Sequence, residues 1–176
     1  DLEMVCAKLN KLKDCRFTFN FDYTKETLLG KDILNWITTD MQTKEEPFDV
    51  DYESVMKYVE ESLAKKYDTY SEYNSRKFNS TSHGTMMIKQ GKGCYGWWLD
   101  QEKTCKALTN AIKNVKSANI KPIYYTSTAT GYEYACNPKW RTAKSDLGNT
   151  YIEIDLSKQH LWYYQNGKKK YSCDIV

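Results

Sequence analysis

The sequence is poor in histidine, with only His83 and His160 among 176 residues, and it has no Cys-x-x-Cys pair and no Cys/His cluster. That excludes a zinc site, which needs four N or S ligands held close together. Nothing else in the chain asks for a metal or a cofactor. No apolar run approaches the roughly 20 residues that span a bilayer. A concentrated basic face is also missing: 26 Lys and Arg stand against 23 Asp and Glu, a net charge of +3, so nucleic acid is excluded as a partner. The acidic residues Asp68, Asp100 and Glu102 show no pairing of the kind that glycosidase chemistry requires.

Aromatic residues and cysteines are plentiful. Fifteen Tyr and five Trp suit half-exposed strand faces and surfaces that meet sugars or peptides. Six cysteines (Cys6, Cys15, Cys94, Cys105, Cys136 and Cys173) are even in number. Disulfides in an oxidising, extracytoplasmic setting account for them, and buried free thiols are the alternative. Cys94 with Cys105 and Cys6 with Cys15 are the pairs near in sequence, the first joining a strand to the helix that follows it.

Periodicity predicts an α+β fold, with helices packed on antiparallel strands and a C-terminal antiparallel meander. Leu2, Val5, Leu9 and Leu12 recur at helical spacing, and Phe17, Phe19, Phe21 and Tyr23 then alternate as one strand face. A strand end, a turn at Gly30 and a short helix follow. Asp51 is placed to cap a helix carrying Val55, Val59 and Leu63, and Asp100 to cap one carrying Leu108, Ile112 and Val115. Short strands are expected at 77–79 and 85–89, and "KPIYYTS" reads as another. The aperiodic stretch 127–148 reads as a connection, so the expected domains are 1–126 and 149–176. In the last of these, three strands follow one another, with Asn166-Gly167 as a type I′ hairpin turn.

The stretch "STSHGT" spells Ser82-His83-Gly84 like a nucleophile motif, but Thr85 stands where a cysteine would. On an extended segment Ser82 and His83 point to opposite sides, so a local turn is the expectation and a Ser/His hydrolase the rival. Trp97 and Trp98 are adjacent, so one is expected in the core and the other outward. With Tyr124 or Tyr125, the outward one could stack on a sugar ring or line a peptide groove. Lys168, Lys169 and Lys170 follow the hairpin turn as a solvated end or a contact to anionic polymer.

The segment "DLGNTYIEIDLSKQHLWYYQNGKKKYSCDIV" resembles the opening of the L,D-transpeptidase (YkuD) catalytic domain. Upstream, "FNFDY" with "LLGKDILNWI", "VDYESVMKYVEESLAKKYDTY", "SRKFNSTSHGT" and "YGWWLD" are similar to the domain assigned to peptidoglycan binding in Gram-positive cell-wall enzymes. The resemblance implies an extracytoplasmic, wall-associated parent enzyme, anchored to the membrane upstream of Asp1, that cross-links peptidoglycan stem peptides through a cysteine in a Ser-His-Gly-Cys segment. It also implies that the sequence stops early in the catalytic domain, so this chain carries no catalytic residue and its role is binding. A secreted interaction or adhesion module unrelated to peptidoglycan is the alternative. The apolar side chains of 149–176, among them Ile152, Ile154, Leu161 and Trp162, are expected to pair with a second copy or fold back onto the upstream domain.

Overall fold

The computed structural model describes residues 2–39, 48–70, 75–89, 96–125 and 147–176. Along the chain run α1 (Leu2–Lys13), β1 (Arg16–Asn20), β2 (Lys25–Leu29), a 3-10 helix (Gly30–Trp36), β3 (Ile37–Thr38) and β4 (Asp49–Val50). Next, α2 (Tyr52–Tyr58) continues through a π-helical stretch (Val59–Ala64) into α3 (Lys65–Tyr67). The hairpin β5 (Arg76–Ser80) and β6 (Gly84–Ile88) precedes α4 (Gln101–Lys113) and β7 (Ala118–Ile120). The meander β8 (Tyr151–Asp155), β9 (His160–Gln165) and β10 (Lys168–Asp174) ends the chain. The mixture of helices and mainly antiparallel strands makes the fold α+β.

The chain divides into two compact units built from alternating segments, 1–68 with 98–125 and 69–97 with 126–176. In this division residues 69–97 group with the C-terminal strands. The physical reason is a set of polar contacts between the β5–β6 turn and β8, described below. Most of the expected connection at 127–148 lies outside the described residues.

In the first unit, the alternation of Phe17, Phe19 and Phe21 places all three rings in the core, each at most 1% exposed. Burial of such a side chain contributes about 1.5–3 kcal/mol. Val55, Val59 and Leu63 from the second helical segment and Leu108 and Ile112 from α4 meet them, and each is fully buried. Phe21 also stacks on Tyr67, with ring centroids 3.8 Å apart. The sheet order is β2-β1-β7; β1 pairs antiparallel with β2 and parallel with β7, so the sheet is mixed rather than purely antiparallel. Gly30 opens the 3-10 helix because nothing larger fits: a Cβ there would lie 1.8 Å from the Leu12 carbonyl oxygen.

Two expectations need correction here. The strand read in "KPIYYTS" forms earlier, as Ala118–Ile120, and only a bridge between Leu99 and Tyr124 remains of it. Pro122 has no N–H to give a ladder, which stops the strand before it. The proposed Cys6–Cys15 bridge is absent: Cys6 is an exposed free thiol, and Cys15 is a buried one that donates to the Lys11 carbonyl.

In the second unit, β8, β9 and β10 form an antiparallel sheet in the order β10-β9-β8, and β5 pairs antiparallel with β6. Asn166 and Gly167 join β9 to β10 with φ of 51° and 75°, as a type I′ turn requires.

Both caps read from the sequence form, Asp51 accepting from the Ser54 N–H and Asp100 from the Lys103 N–H. Asp100 is 3% exposed, and its other oxygen faces the Lys103 ammonium at 2.9 Å. Asp100→Ala is expected to cost about 1–2 kcal/mol, and Asp100→Asn, which keeps the acceptor, clearly less; urea denaturation followed by circular dichroism measures both.

Candidate functional site

The Ser80–His83 turn meets β8 in a polar junction within the second unit. Ser80 ends β5, and its hydroxyl oxygen accepts from the N–H groups of Ser82 and His83 at 3.3 Å each. This local bonding closes the turn, and Gly84 completes it at φ 68°. The turn's remaining donors meet two carboxylates from β8. Glu153 accepts from the Ser80 hydroxyl at 2.7 Å, from the Thr81 N–H at 2.9 Å and from the Thr81 hydroxyl. Asp155 Oδ2 lies 2.6 Å from Ser82 Oγ and 2.9 Å from His83 Nε2. Its Oδ1 accepts from the N–H groups of Ser157 at 3.0 Å and Lys158 at 3.1 Å. Glu153 and Asp155 are 8% and 9% exposed, so both carboxylates are buried against these donors. The Ser82 hydroxyl, helped by the Lys158 and Ser157 N–H groups and the nearby His83, holds the Asp155 carboxyl below the usual carboxylate range against the opposing effect of burial.

Ser82 and His83 therefore do not face opposite sides. In a turn, unlike a strand, successive side chains can converge, and here they converge on one oxygen. The arrangement is still not a hydrolytic triad, in which the imidazole stands between hydroxyl and carboxylate and takes the hydroxyl proton. Here the carboxylate binds both groups, and the Ser82 proton is directed at Asp155.

The strand face that carries Glu153 and Asp155 also shows what sequence reading missed. Strict alternation with Ile152 and Ile154 suggests isoleucines inside and carboxylates outside. In the structure the carboxylates are the covered side, and Ile152 is 59% and Ile154 52% exposed. The signal that could have revealed it was the donor-rich run Ser80-Thr81-Ser82-His83, which needs acceptors if it is to be buried.

Of the aromatic candidates, Trp97 is buried in the second unit, and its N–H donates to Thr69 Oγ1. Trp98, in the first unit, is half-buried and packs against Tyr125 with ring centroids 4.4 Å apart. The Tyr125 N–H donates to the Trp98 carbonyl at 2.9 Å, fixing the pair just before α4. Burial, then the charges of Asp100 and Glu102, push the Tyr125 hydroxyl up, so it stays a neutral donor at physiological pH. Tyr124 turns to the core instead. The structure thus brings Trp98 and Tyr125 together.

The described cysteines Cys6, Cys15, Cys105 and Cys173 are all free thiols. Cys105 is a buried free thiol whose pKa burial raises. Its expected partner Cys94 lies outside the described residues. Cys173 stands opposite Leu161 in the β9–β10 ladder, and His160 stands opposite Asp174. Adjacent register positions face opposite sides of a sheet, so His160 is no base for Cys173. Its Nδ1 bonds to Asp174 at 2.7 Å, and its ring packs on Trp162. Among the described residues no group of His, Cys, Asp and Glu could hold a metal ion, and no helix is long and apolar enough to cross a membrane.

Two solved structures share this architecture. The chain is similar to the avibactam carbamoyl form of the enzyme Ldtfm, with a TM-score of 0.67 and 29% identity over 100% of this chain and 61% of that one. It is similar also to a cysteine mutant of the Enterococcus faecium L,D-transpeptidase, with a TM-score of 0.65 and 30% identity over 97% of this chain and 60% of that one. The chain carries an L,D-transpeptidase fold, and it spans about three fifths of the length of these enzymes. No family model matches it, and no curated protein does.

Glu153→Ala would leave the Ser80 hydroxyl and the Thr81 N–H without this acceptor, while the Thr81 hydroxyl keeps its contact to the Tyr164 hydroxyl. Buried unpaired donors cost about 1–3 kcal/mol each where water cannot reach them, so a loss of about 2–4 kcal/mol is expected, against a smaller one for Glu153→Gln; thermal melts of the three proteins measure it.

Proposed function

We propose that this chain is the noncatalytic, wall-facing region of an extracytoplasmic L,D-transpeptidase and that it engages peptidoglycan. The observation that carries the reading is the likeness to L,D-transpeptidase structures along essentially the whole chain at 29–30% identity. Two features of the site support it. Cys15 and Cys105 are buried thiols, and Cys173 has His160 on the opposite face of its sheet, which supports a role other than acyl transfer for them. The Trp98–Tyr125 pair offers a half-exposed aromatic surface with a neutral hydroxyl at its edge, chemistry that suits the apolar face and hydroxyl rim of a sugar ring. In this reading a membrane anchor belongs to the parent protein upstream of Asp1.

Purified peptidoglycan is expected to retain the chain in a sedimentation assay, and an unrelated wall polymer is not. Trp98→Ala should weaken retention about fivefold to tenfold, the worth of one aromatic contact of roughly 1 kcal/mol. Equal retention on both polymers would favour a general adhesion module instead.

Incubation with a carbapenem should leave the mass of the chain unchanged. An adduct that disappears on one Cys→Ala substitution would overturn the noncatalytic assignment.

A further inference from the structure

We propose that the Ser80–His83 turn and the Asp155 carboxylate form a proton-released clasp: ionised Asp155 holds the β5–β6 hairpin on the sheet, and a proton taken from solvent by Asp155 frees it. The geometry restricts where that proton can go. Both lone-pair regions of Oδ1 accept from backbone N–H groups, those of Ser157 and Lys158, which cannot reverse. The proton must then go to Oδ2, where it meets the Ser82 hydroxyl at 2.6 Å and His83 Nε2 at 2.9 Å. The Ser82 hydroxyl has to reverse and accept it, and the contacts that remain are to a neutral acid, about half as strong as charge-assisted ones.

The groups that face Asp155 come from each element packed around it. His83 and Ser82 come from the hairpin turn, and Lys158 comes from the β8–β9 turn, with its ammonium 3.5 Å from the Ser82 carbonyl. His160 lies across the ladder on β9 and is tied to Asp174 of β10. Glu153 lies two residues back on β8 and is occupied by Ser80 and Thr81. His83 is half-exposed, so solvent protons reach the junction without an opening of the sheet.

A carboxyl held below its ordinary range contributes stability above its unfolded pKa and loses it as pH falls through the folded value, so the clasp opens on the acid side. The Thr81 contacts to Glu153 and to the Tyr164 hydroxyl at 2.7 Å remain as the hinge side of the turn.

Hydrogen exchange of the full chain, corrected for the intrinsic pH dependence of exchange, reads the clasp directly. Between about pH 5 and pH 2, as pH falls through the lowered Asp155 value, the peptide covering 76–88 should lose at least about tenfold in protection while α4 keeps its own. Asp155→Asn should show the open hairpin already at neutral pH and no further change in acid. Should that variant fail to fold, as loss of α4 protection would reveal, Ser82→Ala serves instead: it removes the strongest donor, so the opening midpoint should move to higher pH. The proposal is overturned if protection at 76–88 is unchanged in acid, if it falls only together with α4, or if Ser82→Ala leaves the midpoint where it was.

Discussion

A carboxylate carried out of water must find hydrogen bonds, and the second unit is arranged around two that did. Glu153 and Asp155 leave solvent only because a four-residue turn, remote in sequence, brings hydroxyls, a backbone N–H and an imidazole to them. The dependence runs in both directions. Without the carboxylates the turn would bury unpaired donors, and without the turn β8 would bury two charges. Rings follow the same arrangement: Tyr151 stacks on Tyr164 at 4.9 Å and meets Phe78 of the hairpin edge-on at 6.2 Å. The face of β8 turned away from this junction is left with Ile152 and Ile154 exposed.

Most of the first unit was legible because its signals are local. Alternating phenylalanines, an i, i+4 stripe of Val55, Val59 and Leu63, and two aspartate caps each describe one element and the side it buries, and the structure uses all of them. The β1–β7 pairing was not legible, because a parallel partner about a hundred residues away leaves no mark on either strand. Nor was the allocation of 69–97, which is decided by contacts between distant segments and not by composition.

The candidate sites were legible by type and less so by partner. An adjacent tryptophan pair does place one ring inside, but only the fold could select Tyr125 over Tyr124 as the companion of Trp98. The letters Ser-His-Gly drew attention to the right place for the wrong chemistry. Residues with hydroxyl and imidazole groups signal a need for acceptors as readily as they signal catalysis, and Glu153 and Asp155 looked like the ordinary polar side of a strand.

The second unit has a history imposed by its assembly from two stretches of chain. Ser80 leaves the ribosome 73 residues ahead of Glu153, an interval of roughly 4 to 15 s at ordinary rates of synthesis. Throughout that time the hairpin has no sheet to rest on, while the first unit receives its last strand, β7, and can close. The nascent protein thus carries a finished body and an unattached ribbon, with the donors of the Ser80–His83 turn still without Glu153 and Asp155. In that interval the chain is open to capture by a chaperone or to pairing with a neighbouring nascent chain, and arrival of the meander ends it.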